Sequence, residues 1–317
     1  MHVVVATHGN CFDGLASAVL FTKLWENLNG SGASFTYRGC GYGLGHQRPE
    51  SVLSGDDNAL LDYRFSRHPR LGWYFDHHRT AFPVPGDRAV FAERAPQGQY
   101  FFDESSPSCA QLIARVARER FACDEPRFES LVAWANRVDA AQFDSAEQAL
   151  RTDDPVLQLV SVIEHFGCDS LLAQLVPRLL ERPVQEVAAD RDIENRYVPL
   201  RSRRDQFTER VRSCAVRLGR VVLVDLSAAV VESIEKFVTY ALYPDAVYSV
   251  VVGLRRHDVN ISVGYNPWSG APRDADISAI CARHGGGGHP VVGAISLERA
   301  RLDQARGLAR QIAAELA

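Results

Sequence analysis

The residues of this 317-residue chain best suited to chemistry are aspartates and histidines that close short apolar runs. The densest group is Trp73-Tyr74-Phe75-Asp76-His77-His78, an aromatic strand running into three side chains that bind metals or move protons. Alone, such a tripeptide reads equally well as polar surface after an edge strand. Three further segments change that. His8-Gly9-Asn10-Cys11-Phe12-Asp13-Gly14 follows the first strand and opens a helix. Asp62 ends the stretch Ala59–Asp62 after an apolar pair, and Asp139 lies late in Trp134-Ala135-Asn136-Arg137-Val138-Asp139. Each acid singly is a helix cap or turn former. Together they supply two or three histidines and three or four carboxylates from successive β/α units, which converge at one sheet edge. Carboxylate and imidazole with water suit Mn²⁺ or Mg²⁺, Mn²⁺ being favoured where several imidazoles bind. Two such ions about 3.5–4 Å apart can activate a water for attack.

A second concentration is His284-Gly285-Gly286-Gly287-Gly288-His289. Consecutive glycines let backbone amides approach an anion and adopt positive φ, forming a phosphate nest. Gly286, Gly287 and Gly288 are thus candidate substrate contacts, and His289 a donor to phosphate or nucleobase. A flexible surface loop is the plainer alternative. Arg255, Arg256 and the Tyr265-Asn266-Pro267-Trp268 loop offer charge and stacking, although such residues more often serve structure.

The elements that must position these groups follow from periodicity. His2–Thr7 reads as a buried parallel strand and Phe12–Asn29 as a helix stopping at Asn29-Gly30. Strands are expected at Ala33–Arg38, Ala59–Asp62 and Gly72–Asp76, and helices at Ser106–Glu119 and Arg127–Asp144. The fold class is α/β, with a doubly wound, mainly parallel N-terminal sheet. From about Leu157 to Arg212 the pattern is helical, and the charged stretch Arg182–Arg212 suits a connecting helix with a solvated face. A smaller α/β pattern follows: the strand VVLVDL from Val221, a helix at Ser233–Leu242, strands near Tyr248–Leu254 and Val259–Gly264, a helix at Asp274–Arg283, a strand at Gly293–Leu297 and a final helix. The expected domains are 1–150, a helical linker 151–215, and 216–317.

A net charge of −4 argues against wrapping long duplex DNA, though a few placed arginines suffice for a small anionic substrate. Only Lys23 and Lys236 are lysines, so phosphate contacts fall to arginines, helix N-termini and backbone amides. Seven scattered cysteines without a CxxC pair suit a reducing compartment. The start MHVVVATHGN lacks the charged region of a signal peptide, and no apolar run reaches the roughly 20 residues of a membrane span. A cytoplasmic protein with no membrane partner is expected; a homodimer is left open.

In order and spacing, these segments resemble the four motifs of the DHH phosphoesterase superfamily. The group includes single-strand exonucleases, nano-RNase and 3'-phosphoadenosine-5'-phosphate phosphatases, cyclic-dinucleotide phosphodiesterases and pyrophosphatases. Asp103–Ala110 resembles the Ser/Thr-containing helix start after the third motif, and His284–Gly293 the glycine-rich motif of the DHH-associated domain. The likeness touches residues 2–145 and 219–315. It implies that Asp62 bridges two metals, one bound by His8 and the other by Asp13, His77 and Asp139. His78 then faces the substrate, stabilising phosphoryl oxygens or protonating the leaving oxygen, while Asp76 orients a histidine. The first motif departs from the family where Cys11 replaces an aspartate. A thiolate there would shift preference towards Zn²⁺ or Fe²⁺; otherwise Cys11 is a small buried residue, the first metal is weak or absent, and Asn10 can offer a neutral oxygen.

The expected function is metal-dependent hydrolysis of a small nucleotide or short single-stranded oligonucleotide (dinucleotide, cyclic dinucleotide or phosphoadenosine), in a cleft between the domains. The competing expectation is a nucleotide-binding regulator weakened by Cys11.

Overall fold

The computed structural model describes residues 1–42, 46–231 and 234–317. It contains two compact units, residues 1–142 with 152–198, and residues 143–151 with 199–317. The first runs through β1 (His2–His8), α1 (Phe12–Asn29), β2 (Ser34–Cys40), α2 (Pro49–Val52), β3 (Asp57–Leu61), β4 (Trp73–Asp76), α3 (Asp87–Arg94), β5 (Tyr100–Phe102), α4 (Cys109–Phe121) and α5 (Glu129–Asp139). The short α6 (Ala146–Ala149) falls in the second unit, and α7 (Pro155–Phe166), α8 (Asp169–Glu181) and α9 (Val184–Ala188) return to the first.

Its sheet has the order β2-β1-β3-β4-β5 with every pairing parallel. A parallel strand covered on both faces has no polar side to show, and Val3 to Ala6 are accordingly buried throughout. β4 divides its aromatics by the two-residue period of a strand. Trp73 and Phe75 meet Phe21 of α1, whereas Tyr74 packs with Phe65, Phe91 and Tyr100 on the other face. Asp76 shares the Tyr74 side and accepts a hydrogen bond from its hydroxyl at 3.0 Å.

The elements differ from expectation at their ends. α4 begins at Cys109, not Ser106, because Ser108 caps it, its hydroxyl accepting from the Gln111 amide at 3.0 Å. α5 stops at Asp139, where Ala141 turns through φ 50° and the Gln142 amide donates to the Arg137 carbonyl. The charged stretch Arg182–Arg212 is two helices, α9 and α10 (Arg191–Cys214), with Arg182 donating to Asp190 at the break. Strand β5 has three residues, too few to show a period.

The second unit continues through β6 (Ala215–Leu218), β7 (Val221–Val230), α11 (Lys236–Leu242), β8 (Tyr248–Leu254), β9 (Asp258–Tyr265), α12 (Ile277–Ala282), β10 (Gly287–His289), β11 (Val292–Glu298) and α13 (Leu302–Leu316). The start of the expected helix at Ser233 lies outside the described residues. The sheet order is β10-β11-β9-β8-β7-β6, with β7 and β8 parallel and the other pairs antiparallel. Ala305, Ala309 and Ile312 of α13 pack with Val250, Val252 and Ile261, while Phe207 and Val211 of α10 pack with Val222, Val224 and Val251.

The tightest joint is where α1 leaves β1. A Cβ on Gly14 would stand 2.4 Å from the His8 carbonyl oxygen and 2.8 Å from the Thr7 hydroxyl. The Thr7 hydroxyl donates to the Gly14 carbonyl at 3.0 Å, so the helix is stitched to the strand where a side chain would pry it off. Gly14→Ala should therefore destabilise the protein by about 1–3 kcal/mol, the usual range for overpacking. Urea unfolding measures this; an unchanged midpoint would show that the joint widens freely.

Candidate metal centre

In a sheet of order 2-1-3-4-5 the chain leaves β1 and β3 on opposite faces, opening a crevice at their carboxyl ends. The acids and imidazoles meet there. His8 ends β1, Asp13 lies in the first turn of α1, Asp62 follows β3, Asp76 ends β4 just before His77 and His78, and Asp139 ends α5. Asn10 (φ 56°) and Asp62 (φ 54°) turn through the left-handed region, a conformation that costs a non-glycine residue roughly 1 kcal/mol or more. The Asp62 amide donates to the Phe75 carbonyl at 2.9 Å, which pins that turn to the neighbouring strand.

His77 is at the centre. Its Nε2 lies 3.7 Å from Asp13 Oδ2, 3.6 Å from Asp62 Oδ1 and 3.4 Å from Asp139 Oδ2. His78 Nδ1 lies 3.7 Å from the same Asp62 oxygen, Oδ1, while His8 Nδ1 stands 3.8 Å from the other, Oδ2. Three ligand groups therefore adjoin: His8, Cys11 and Asp62; Asp62, His77 and His78; Asp13, His77 and Asp139, the ligand atoms of each lying within 4.8 Å of one another. Asp62 belongs to two of them, as does His77.

Neighbours that no spacing rule could foresee aim these side chains. Both Asp13 oxygens accept backbone N–H bonds at the start of α4, from Cys109 at 2.7 Å and Ala110 at 2.9 Å. A helix N-terminus favours such a negative charge. The Ser108 hydroxyl donates to Asn136 Oδ1 at 2.6 Å, tying that helix start to α5, which carries Asp139 one turn later. His77 Nδ1 lies 3.0 Å from the Ser106 carbonyl, which can only accept, so the proton is on Nδ1 and Nε2 points at the acids. Asp76 accepts from His78 Nδ1 at 2.7 Å and from the backbone N–H of His77 at 2.8 Å. The histidine that Asp76 orients is thus His78. Of these partners the sequence showed only Ser106–Ala110, as a helix start.

The electrostatics reflect acids crowded out of water. Burial pushes the Asp13 carboxyl well up, and the charges of Asp62 and Asp139 add to it. At Asp62 burial acts in the same sense, but His77, His78 and His8 outweigh it and hold the carboxyl below its ordinary value. Burial works against the charged form of His77, yet contact with Asp62 and the charges of Asp13, Asp62 and Asp139 prevail and push it up to about 10. His78 is pushed up to about 9, the bond to Asp76 and the charges of Asp62 and Asp76 overcoming burial.

The residues fit a divalent cation. Both Asp62 oxygens and His77 Nε2 are buried without a hydrogen-bond partner, a costly state in a folded protein unless something else occupies them. Ligand atoms about 2.0–2.2 Å from an ion stand roughly 3–4 Å apart, the spacing His77 keeps with its acids.

Other expectations are placed differently. Asn10 donates to the Glu164 carbonyl at 3.0 Å, using its amide to close the end of α7. The Cys11 thiol is pushed well up by burial and by Asp62, Asp139 and Asp13, which favours the neutral form. In the second unit the glycine run is not a loop. The amides of Gly285 and Gly286 donate to Ala282 and Cys281 at the end of α12, and Gly287–His289 pairs with β11. A Cβ on Gly286 or Gly288 would lie 2.2 Å from the Ala294 or Val292 carbonyl oxygen, whereas Gly287 faces open space. Close approach to β11 by itself requires glycine at two of these positions. Arg255 forks onto Asp258 with bonds of 2.7 and 2.5 Å. In the Tyr265–Trp268 loop Asn266 is buried and donates to Pro244 and Ala246, and Trp268 donates to Phe143 and packs on Phe237.

No family model and no curated protein matches the sequence. Solved structures match the fold. The pGpG-specific phosphodiesterase PggH of Vibrio cholerae superposes with a TM-score of 0.67 at 18% identity, over 98% of this chain and 99% of that one. The DHH domain of a member of the s1p family of ribosomal proteins does so with a TM-score of 0.64 at 14% identity, over 98% and 86%. RecJ of Thermus thermophilus, in complex with Mn²⁺, gives 0.59 at 12% identity, over 99% of this chain and 52% of RecJ. The chain therefore has the mixed α/β fold of DHH-domain proteins, as its motifs led us to expect. No described helix is long and apolar enough to cross a membrane.

The raised histidines set a pH dependence. Above an ordinary value of 6.5, His77 titrates near 10 and His78 near 9, so the stability they give the metal-free protein is complete below about pH 6.5 and is lost as pH rises through 9 to 10. A divalent cation held by His77 must displace the proton on its Nε2, so its affinity grows over the same interval. The gain in melting temperature on adding Mn²⁺ should widen between pH 6 and 9. A gap that does not change with pH would remove His77 from the ligand set.

Proposed function

We propose that this protein is a metal-dependent phosphodiesterase of the DHH type, acting on a linear dinucleotide or a similarly short oligonucleotide. The observation that carries this is the set of orphaned buried atoms, Asp62 Oδ1, Asp62 Oδ2 and His77 Nε2, at the switch point of a parallel sheet. Asp62 would hold two ions, one shared with His8 and the other with Asp13, His77 and Asp139. Such ions supply Lewis acidity towards phosphoryl oxygens and an acidified water. Mn²⁺ or Mg²⁺ suits these ligands, and RecJ is solved with each.

The chain's own groups do the rest. Asp76, itself fixed by Tyr74, keeps the His78 ring in one orientation through Nδ1. Held in this way, His78 would donate a proton to the leaving oxygen. The α4 amides stop Asp13 from rotating away, so the acids stay converged whether or not substrate is present. In the second unit Gly287 and His289 are our substrate contacts, and we assign that unit to substrate and the first to catalysis. A short substrate accords with the net charge of −4 and with the pGpG named for PggH.

A second reading rests on Cys11. With its thiol held neutral, the group around His8 offers one charged oxygen ligand, Asp62, and a protein built this way can bind nucleotide without hydrolysing it.

Incubation with Mn²⁺ and a linear dinucleotide, a cyclic dinucleotide, 3'-phosphoadenosine-5'-phosphate or a nitrophenyl phosphodiester separates the two. The linear dinucleotide should turn over fastest, and His78→Ala or Asp139→Ala should lower kcat by about 100-fold or more, as loss of a proton donor or ligand does. Tight binding without turnover would favour the regulator. Cys11→Asp should lower the Mn²⁺ concentration needed for half-maximal rate; loss of activity instead would give the thiol its own role.

A further inference from the structure

Helices α1, α4 and α5 pack on one another without closing completely, and between them lies a cavity of about 260 Å³. Leu24 of α1, Ile113 of α4 and Val132 of α5, all buried, belong to its walls, as does Phe128 just before α5 begins. A dry cavity of roughly 150 Å³ admits benzene, so this one has room for a fused two-ring heterocycle. No member of the metal centre lines it.

Two half-buried amides give the lining its hydrogen-bonding direction. Gln111 in the first turn of α4 and Asn136 in the last turn of α5 both face the cavity, and Asn136 Nδ2 donates to Gln111 Oε1 at 3.0 Å. The pair closes a ring with Ser108, whose hydroxyl donates to Asn136 Oδ1 at 2.6 Å and accepts from the Gln111 backbone N–H at 3.0 Å. That ring leaves the Nε2 hydrogens of Gln111, and the second lone pair of its Oε1, to a ligand. A donor beside an acceptor is the pattern an adenine ring meets with N7 and N6. Charge argues against a nucleotide. Lys23 and Arg118 are outnumbered by Asp124, Glu125 and Glu129, and Glu125 already holds Lys23 at 3.5 Å and the Asn27 amide at 3.1 Å. An excess of acid repels phosphate.

We infer that this cavity binds an uncharged purine of the adenine pattern, and that its occupancy is linked to the metal centre through the Ser108–Gln111–Asn136 ring. The link is short. Ser108 caps the helix whose next two amides hold Asp13, and Asn136 precedes Asp139 by three residues. A ligand that fixes Gln111 favours the arrangement in which Asp13 and Asp139 converge. Purine and cation should therefore each bind more tightly in the other's presence. The purine site itself does not depend on the phosphodiesterase reading.

Calorimetric titration of the full chain with adenosine should show saturable binding. AMP should bind more weakly, and guanosine about 5-fold or more weakly, because two adjacent acceptors satisfy half of the Gln111 amide. Ala117→Phe and Ala133→Trp, which fill the cavity from α4 and from α5, should each abolish the binding. Gln111→Glu keeps an acceptor for Asn136 and removes the donor; it should weaken adenosine about 10-fold with the melting temperature little changed, which guards against misfolded filling variants. Saturating adenosine should raise Mn²⁺ affinity, followed by electron paramagnetic resonance, about 5-fold or more, and Mn²⁺ should raise adenosine affinity by the same factor. No binding at millimolar adenosine would overturn the inference. So would binding that survives both filling variants, or AMP or guanosine binding as tightly as adenosine. An Mn²⁺ affinity indifferent to adenosine would sever the link. None of these measurements uses turnover, so a protein that binds adenosine here yet hydrolyses no dinucleotide would keep the purine site and lose the phosphodiesterase reading.

Discussion

Two aspartates withdrawn almost completely from water, Asp13 and Asp62, share one imidazole with a third at the rim, and the first unit is organised around that charge. Like charges at such range in a low dielectric cannot all ionise without compensation. The metal-free protein meets this with protons: Asp13 is driven towards its neutral form, while His77 and His78 hold theirs far above neutrality. Protons are a poor answer, because they leave both Asp62 oxygens unpaired. A divalent cation supplies twice the charge of a proton and can face several ligands at once.

The surroundings make sense as devices that prevent the acids from escaping one another. Left free, Asp13 would rotate out; the start of α4 holds both its oxygens, and the helix dipole favours the charge. Asp139 lies at the last residue of a helix, and Asn136 on the turn before it is fastened to Ser108. Asp62 occupies a strained left-handed turn that strand β4 clamps from the side. Two of these restraints come from the start of α4 and the third from β4, so the centre assembles only when those elements stand beside β1 and β3. Gly14 belongs to the same scheme, since it lets α1 start close enough to β1 for His8 and Asp13 to address one crevice.

Strand-end acids and histidines were legible in the sequence because each follows an apolar run that only a buried strand explains. Their convergence was legible because alternating β/α units admit few topologies. What aims them was not. The Ser106 carbonyl and the Cys109 and Ala110 amides are backbone groups that every residue type possesses, and their roles depend on where a helix starts to within one residue. The glycine run is the converse case. Its composition suits an anion nest, but the constraint on Gly286 and Gly288 is the carbonyls of β11, a long-range partner that local sequence does not name.

Both units pair many of their arginines with acids, as Arg38 with Asp169 and Arg115 with Asp103 in the first. In the second unit Arg217, Arg220, Arg255, Arg283 and Arg306 each face an acid. These pairs are not equal. At Arg217–Asp245 the aspartate side chain is 73% exposed, and such a pair is worth about 1 kcal/mol or less, so it opens at little expense. The fork of Arg255 on Asp258 has two short bonds and a further contact to Ser296, with the aspartate only 28% exposed. Of the arginines on that sheet it is the one least available to a ligand, because leaving Asp258 would strand a partly buried carboxylate.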